Sequence, residues 1–176
     1  MNSPNQVKKI ITLVGLMGAG KTTLGNKLAS RLGYYFIDCD QEIEDRQQVS
    51  ISEIFSKKGE KYFRQIEKEI IEEIILRDEN TVISLGGGAF INDEIRALVK
   101  EKSLVIWLFA SIEETLRRVG GKTSRPLLNH GDKRKVLEDL TKKRYPIYMQ
   151  ADLKFETTSE NHESLINKII KKINHE

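Results

Sequence analysis

Residues 10–24 read Ile-Ile-Thr-Leu-Val-Gly-Leu-Met-Gly-Ala-Gly-Lys-Thr-Thr-Leu. An apolar run is followed by Gly15, four residues, then Gly20-Lys21-Thr22, and a helical pattern opens through Leu24, Leu28, Ala29 and Leu32. That spacing predicts a phosphate-binding loop between a strand and a helix. Glycines let successive backbone N–H groups turn inward on one anion, and the helix beginning near Lys21 adds the positive end of its dipole. Gly18, Ala19, Gly20, Lys21, Thr22 and Thr23 would then cradle the phosphates, with Lys21 reaching the terminal ones. The Thr22 hydroxyl could ligate magnesium. A chance glycine-rich βα turn is the bland alternative, and the two correct flanks weigh against it. The implied ligand is a nucleoside triphosphate.

Other apolar runs at 34–37, 81–85, 104–109 and, more weakly, 153–157 alternate with helical patterns. Such alternation predicts an α/β fold: a five-stranded parallel sheet covered by helices on both faces, three layers in all. The 176 residues suit a single domain, 1–176, without repeat or long linker. With 31% charged and 39% hydrophobic residues, the composition is that of a globular chain. The net charge of +3 is small and scattered, which fits anionic small molecules and argues against nucleic acid. Lys8-Lys9 before the apolar stretch resembles a signal peptide, but the stretch is too short to span a bilayer and carries the loop glycines. One cysteine, Cys39, excludes an internal disulfide and suits the cytoplasm. Small size and the lack of an evident exposed apolar helix suggest a monomer.

In parallel sheets ligands gather at the carboxyl ends of the strands, so the residues after each strand are candidate site residues. Asp38-Cys39-Asp40 follows the second strand; the two carboxylates would point the same way in an extended chain. One could hold the metal through water while the other accepts a proton, against the alternative of a polar turn. Ser84-Leu85-Gly86-Gly87-Gly88 follows the third strand, where three glycines would admit a ligand to the backbone. That strand lacks a terminal Asp, which leaves Asp38 and Ser84 as candidates for the outer metal shell. Residues 41–76 read as helices interrupted near Gly59, with Phe63, Ile66, Ile70 and Ile74 on a core face. Arg64 and Glu67 are i, i+3 neighbours, yet periodicity alone favours a solvated surface charge for Arg64. Ser111 with Glu114 suggests a capping box. Residues from about 117 to 131 include Arg117, Arg118, Lys122 and Arg125 among glycines. They read either as a mobile lid or as a plain basic loop. The run Lys142-Lys143-Arg144-Tyr145-Pro146-Ile147-Tyr148 ends the next helix; cations with aromatics can signal nucleic-acid contact, but the run is short and follows Glu138 and Asp139, which favours a helix end supplying one arginine to a pocket. His130, His162 and His175 have no metal-ligand spacing.

Taken in order, the phosphate loop, Asp38-Cys-Asp40, Gly59-Glu-x-x-Phe63-Arg64-x-x-Glu67, Gly86-Gly-Gly88, Arg125-Pro-Leu-Leu and Arg144 resemble the shikimate kinase family over about residues 10–151. The phosphate loop alone is shared by many kinases; the combination is far more specific. The resemblance implies a nucleoside-monophosphate-kinase-like fold. It also implies transfer of the ATP γ-phosphate to the 3-hydroxyl of shikimate in aromatic amino-acid synthesis, with magnesium.

Residue by residue, the resemblance implies that Asp40 holds the substrate hydroxyls and orients or activates the nucleophile. Arg64, Gly87 and Arg144 bind shikimate, the two arginines on its carboxylate. Glu67 steadies Arg64, and Phe55 and Phe63 wall the ring. Thr22 ligates magnesium with Asp38 helping through water, Arg125 swings onto the phosphates, and Arg118 stacks near adenine. Lys21, Asp40 and Arg125 are the expected catalytic set. Residues 156–163 lack the arginine and proline some members carry beside adenine. A gluconate-kinase-like enzyme and a silent nucleotide-binding relative are the competing readings; the second should have lost residues that are all present here.

Overall fold

The computed structural model describes residues 9–119, 132–157 and 162–174. Five parallel strands form one sheet in the order β2-β3-β1-β4-β5. They are β1 (Ile10–Val14), β2 (Tyr35–Asp38), β3 (Thr81–Ser84), β4 (Leu104–Phe109) and β5 (Leu153–Glu156). The helices are α1 (Lys21–Leu32), α2 (Cys39–Gln47), α3 (Ile51–Leu76), α4 (Asp93–Lys102), α5 (Ile112–Val119), α6 (Lys133–Tyr148) and α7 (His162–Ile173), with a short 3-10 turn at Ala89–Ile91. Expected and observed strands agree within a residue at either end.

Period-two alternation along the strands builds two cores on opposite faces. Ile11, Leu13, Val82, Ile106 and Leu108 face α1 and α7. Ile10, Val14, Ile83, Val105 and Trp107 face the other side, packing with Ile70, Ile74 and Tyr148. Strands buried on both faces read as continuous apolar runs, which is why 10–14 and 104–109 stand out in the sequence. On the second face Thr12 Oγ1 and Ser103 Oγ share a buried hydrogen bond of 2.7 Å, which satisfies the one polar side chain of β1. A third cluster joins Met17 of the phosphate loop to Val119 and Leu137, seating that loop on α5 and α6.

Several local signals hold. Ser50 and Glu53 form a full capping box at the start of α3. Gly59 interrupts α3 with φ 83°, ψ 168°, a conformation that favours glycine, so the expected break is real although the helix resumes at once. Two expectations change. Asp38 is the last residue of β2 and caps α2, which already contains Asp40, so the pair does not lie on an extended chain. Arg117 and Arg118 lie within α5, so the loop expected from about residue 117 starts no earlier than the end of that helix at Val119. Residues 120–131, and with them Arg125 and His130, lie outside the described residues, as does His175.

Gly25 sits in mid-helix, where glycine ordinarily costs about 1 kcal/mol relative to alanine. A β-carbon there would lie 2.5 Å from Phe36 Cε2 and 2.9 Å from Leu13 Cδ1, so α1 rests on the sheet at this residue. Gly25→Ala is therefore expected to destabilise the fold by about 1–3 kcal/mol despite the better helix propensity. Urea denaturation checks this; a neutral or stabilising result would show that α1 can lift without cost.

Candidate active site

The carboxyl ends of β2, β3 and β1 lie side by side, with Asp38 in register with Ser84, and Ser84 with Leu13. Everything that follows these strands meets at one edge, on the β3 side of the central β1. After β1, the phosphate loop runs Gly15 to Gly20, with Gly20 capping α1 at φ 87°. Ala19 is buried and the side chains of Thr22 and Thr23, in the first turn of α1, are exposed. Lys21 Nζ donates to the carbonyls of Gly15 (2.9 Å) and Leu16 (3.1 Å), which folds the lysine back over the loop.

Thr22 Oγ1 donates to Asp38 Oδ2 at 2.5 Å, while Asp38 Oδ1 accepts the Asp40 N–H at 3.1 Å. One aspartate thus caps α2 and touches the phosphate loop. Two hard oxygens beside a triphosphate cradle are a fitting donor set for magnesium, which takes one or two protein oxygens and completes its shell with phosphate and water. Ser84 is buried alongside Asp38, at the end of its own strand. Cys39, between the two aspartates, is held as a neutral thiol: burial first, and then the Asp40 and Asp38 carboxylates, push it well above its ordinary value.

Asp40 turns the other way. A β-carbon on Gly86 would lie 2.6 Å from Asp40 Oδ1 and 2.9 Å from Glu67 Oε1. On Gly87 it would lie 3.3 Å from Arg144 Nη1, and on Gly88 2.6 Å from Arg64 Nη2. Each glycine of the triplet therefore lies beneath a different ionised side chain, drawn from α2, α3 and α6. The glycine turn that the sequence marks as open to a ligand is also where these side chains gather. The turn also borders the phosphate loop, the Gly87 position being 3.6 Å from the Gly15 carbonyl oxygen and 3.7 Å from the Met17 nitrogen.

Arg64 is no solvated surface charge. Its Nη1 donates to Glu67 Oε2 at 2.7 Å, and its Nη2 to Glu60 Oε1 at 3.2 Å. Glu67 is only 1% exposed, and its Oε1 accepts no hydrogen bond. Burial raises the Glu67 carboxyl above its ordinary value, against the opposing pull of Arg64. For Arg64, burial pulls downward but the Glu67 carboxylate outweighs it, and the guanidinium is held more firmly charged. Phe55 and Phe63 stack at 4.7 Å between centroids, and the Arg64 guanidinium carbon lies 5.1 Å from the Phe63 ring centroid. Arg144 Nη1 donates to the Gly87 carbonyl at 2.9 Å.

Arg118 ties α5 to the phosphate loop and to the end of β5: it donates to Glu114 at 2.6 Å, to the Gly18 carbonyl at 3.0 Å and to Thr157 Oγ1 at 3.1 Å. Half of the expected capping box is present, with Glu114 N–H donating to Ser111 Oγ at 3.2 Å. The Glu114 carboxylate serves Arg117 and Arg118 instead. Sequence reasoning missed Thr157, and missed Tyr148, whose hydroxyl donates to the Gly87 carbonyl. A tyrosine one helical turn after Arg144 was the available signal for the latter.

The family model described as Shikimate kinase matches residues 17–174. The chain belongs to the shikimate kinase family. A shikimate kinase of Novosphingobium aromaticivorans is 40% identical over 171 residues, covering 96% of this chain and 89% of that protein. One of Caulobacter vibrioides is 44% identical over 162 residues, covering 92% and 80%. Among solved structures, the shikimate kinase from Acinetobacter baumannii in complex with shikimate superposes with a TM-score of 0.91. It is 38% identical and covers 94% of this chain and 93% of its own. As a member of this family the chain is an ATP-dependent kinase. Among the described residues no helix is long and apolar enough to cross a membrane.

The raised carboxyl of Glu67 fixes a sign. Below its ordinary value of 4.5 the group is protonated whether the chain is folded or not. As pH rises past that value the unfolded chain loses the proton first, so the native state loses relative stability until Glu67 itself ionises. Glu67→Gln should abolish this descent, because an amide can donate towards Asp40 and accept from Arg64 without charge. Melting temperatures from pH 4 to pH 8 check it; parallel curves for parent and variant would remove Glu67 from the balance.

Proposed function

We propose that this kinase transfers the γ-phosphate of ATP to the 3-hydroxyl of shikimate, yielding shikimate 3-phosphate and ADP in the route to aromatic amino acids. The observation that carries the reading is the placement of Arg64, Arg144 and Asp40 over consecutive glycines beside the phosphate loop. Two guanidinium groups there suit a ring carboxylate, since each presents a planar donor fork. Phe55 and Phe63 offer an apolar wall for the ring. Asp40 is then left to orient the reacting hydroxyl.

The acceptor oxygen forms a bond to the γ-phosphorus as the bond to the β–γ bridging oxygen breaks. The hydroxyl proton passes towards the Asp40 carboxylate, and the electron pair of the broken bond leaves with ADP. Phosphoryl transfer of this kind depends on alignment and on neutralising charge. Lys21, on leaving the Gly15 and Leu16 carbonyls, would meet the terminal phosphates. The backbone of Gly18, Ala19, Gly20, Thr22 and Thr23 would take the others. Magnesium, when held by Thr22 and through water by Asp38, would supply further neutralising charge. Gly87 would contact the substrate and Glu67 would hold Arg64. Arg118 would border adenine and Arg125 would close over the phosphates from a lid at about 119–131, residues 41–76 forming the substrate-binding helices of the single domain. The reading has the protein act in the cytoplasm as a monomer, on small molecules alone.

A coupled ADP-release assay with shikimate, quinate and gluconate tests the acceptor. Turnover with shikimate is expected; turnover only with gluconate, or with none, would reject the reading. Lys21→Ala and Asp40→Ala should each lower kcat about 100-fold or more, as for removal of one preorganised contact to the transition state. Arg64→Ala would strand the buried Glu67, so Arg64→Lys is the cleaner probe. Lysine keeps the charge but loses the fork, and the shikimate KM should rise about tenfold with little change in the KM for ATP. An unchanged shikimate KM would dismiss the carboxylate assignment.

A further inference from the structure

Tyr148 is the last residue of α6 and is fully buried, yet its hydroxyl belongs to the site rather than to the core. It donates to the Gly87 carbonyl, the same oxygen that accepts Arg144 Nη1. A carbonyl oxygen has two lone pairs, so two donors one turn apart on α6 account for both. Its ring is held by Phe90 and Trp107, with centroids 6.4 Å and 6.0 Å away. We propose that Tyr148 is a positioning residue for the acceptor substrate: its buried hydroxyl holds the Gly87 carbonyl where Arg144 meets the glycine turn, and so sets the stance of Arg144 towards Arg64. The proposal rests on the shikimate reading and goes beyond it, since Tyr148 itself needs no contact with substrate.

Two duties meet at the Gly87 carbonyl. Arg144 has to hold the turn and also offer donors to a carboxylate. With the phenol in place, the Gly87 carbonyl has a second, buried donor that also lies against the Arg144 guanidinium, so Arg144 need not hold that oxygen by itself. Without the phenol, the Gly87 carbonyl would be held by Arg144 alone, while the carbonyls of Gly86 and Gly88 keep their backbone partners Ala89 and Ile91. Binding would then have to order both turn and arginine. Burial, the chief cause, pushes the Tyr148 phenol up to about 12, so the hydroxyl remains a donor throughout the neutral range. Tyr145 provides an internal comparison: its hydroxyl, on the same helix, donates to the Ala110 carbonyl at 2.9 Å and not to the glycine turn.

The test sets Tyr148→Phe against Tyr145→Phe. Shikimate is titrated against the fluorescence of Trp107, the only tryptophan in the chain, and the steady-state constants are measured alongside. Tyr148→Phe should raise the shikimate Kd and KM about fivefold, the effect of losing one buried hydrogen bond, while kcat and the ATP KM stay within about twofold. Tyr145→Phe should leave the shikimate constants at the parent values. The proposal is overturned if Tyr148→Phe binds shikimate like the parent, if Tyr145→Phe weakens it equally, or if Tyr148→Phe no longer folds. The last result would make the hydroxyl a requirement of folding. A parent protein that fails to phosphorylate shikimate would overturn the acceptor reading as well. An active parent with an indifferent Tyr148→Phe overturns the positioning role alone.

Discussion

The proposed acceptor site depends on the absence of side-chain volume at three consecutive backbone positions. Gly86, Gly87 and Gly88 leave room for Asp40, Arg144 and Arg64, and in each case a β-carbon would press on a charged group. A larger residue there would have to displace these charged ends from the turn. The consequence is electrostatic: charges carried on α2, α3 and α6 can approach one short turn and therefore one another. The turn also borders Gly15 and Met17, so the glycine turn and the phosphate loop lie against each other.

Bringing those charges together has a cost, borne mainly by Glu67. It is buried and carries one oxygen without a donor, over the same glycine as an Asp40 oxygen. Buried ion pairs seldom stabilise a fold over an apolar replacement of the same shape, because desolvation offsets the attraction. The Arg64–Glu67 pair is better understood as an orienting device. It fixes a guanidinium that would otherwise sweep several ångströms on a flexible stem. A second acid, Glu60, flanks the same arginine from the exposed side. The result is a rigid cation placed for a planar anion, at some expense in stability.

The parts of this arrangement that are local in the chain are also the legible ones. The phosphate loop, the five strands, the cap at Ser50 and the break at Gly59 each depend on neighbours a few residues away, so periodicity and spacing reveal them. Arg64 is different: helical spacing makes it one charge among many, and only its combination with distant motifs gave it a role. The role of Gly25 is set by Phe36 and Leu13 across the sheet, and nothing in the helix that contains it says so. Asp38 and Asp40 look like an equivalent pair until the helix starts between them. After that turn one carboxylate serves the phosphate loop and the other faces the glycines. Tyr148 was hidden for a further reason, since a tyrosine at the end of an amphipathic helix ordinarily signals core.

The two halves of the proposed reaction centre are anchored by the same device. On one side, the Gly87 carbonyl takes donors from Arg144 and Tyr148. On the other, the Gly18 carbonyl takes Arg118, which is itself fixed by Glu114 and Thr157. In both, an arginine holds a glycine peptide while a neighbouring group holds the arginine or the peptide in turn. Glycine-rich loops can wrap closely around a ligand only because they lack side chains, and for the same reason they cannot hold themselves in shape. Side chains from α5 and α6 supply that shape, through the Gly18 and Gly87 carbonyls. Ordering the loops from behind lets a single sheet edge hold the phosphate loop and the Gly86–Gly88 turn side by side, the arrangement on which the proposed transfer depends.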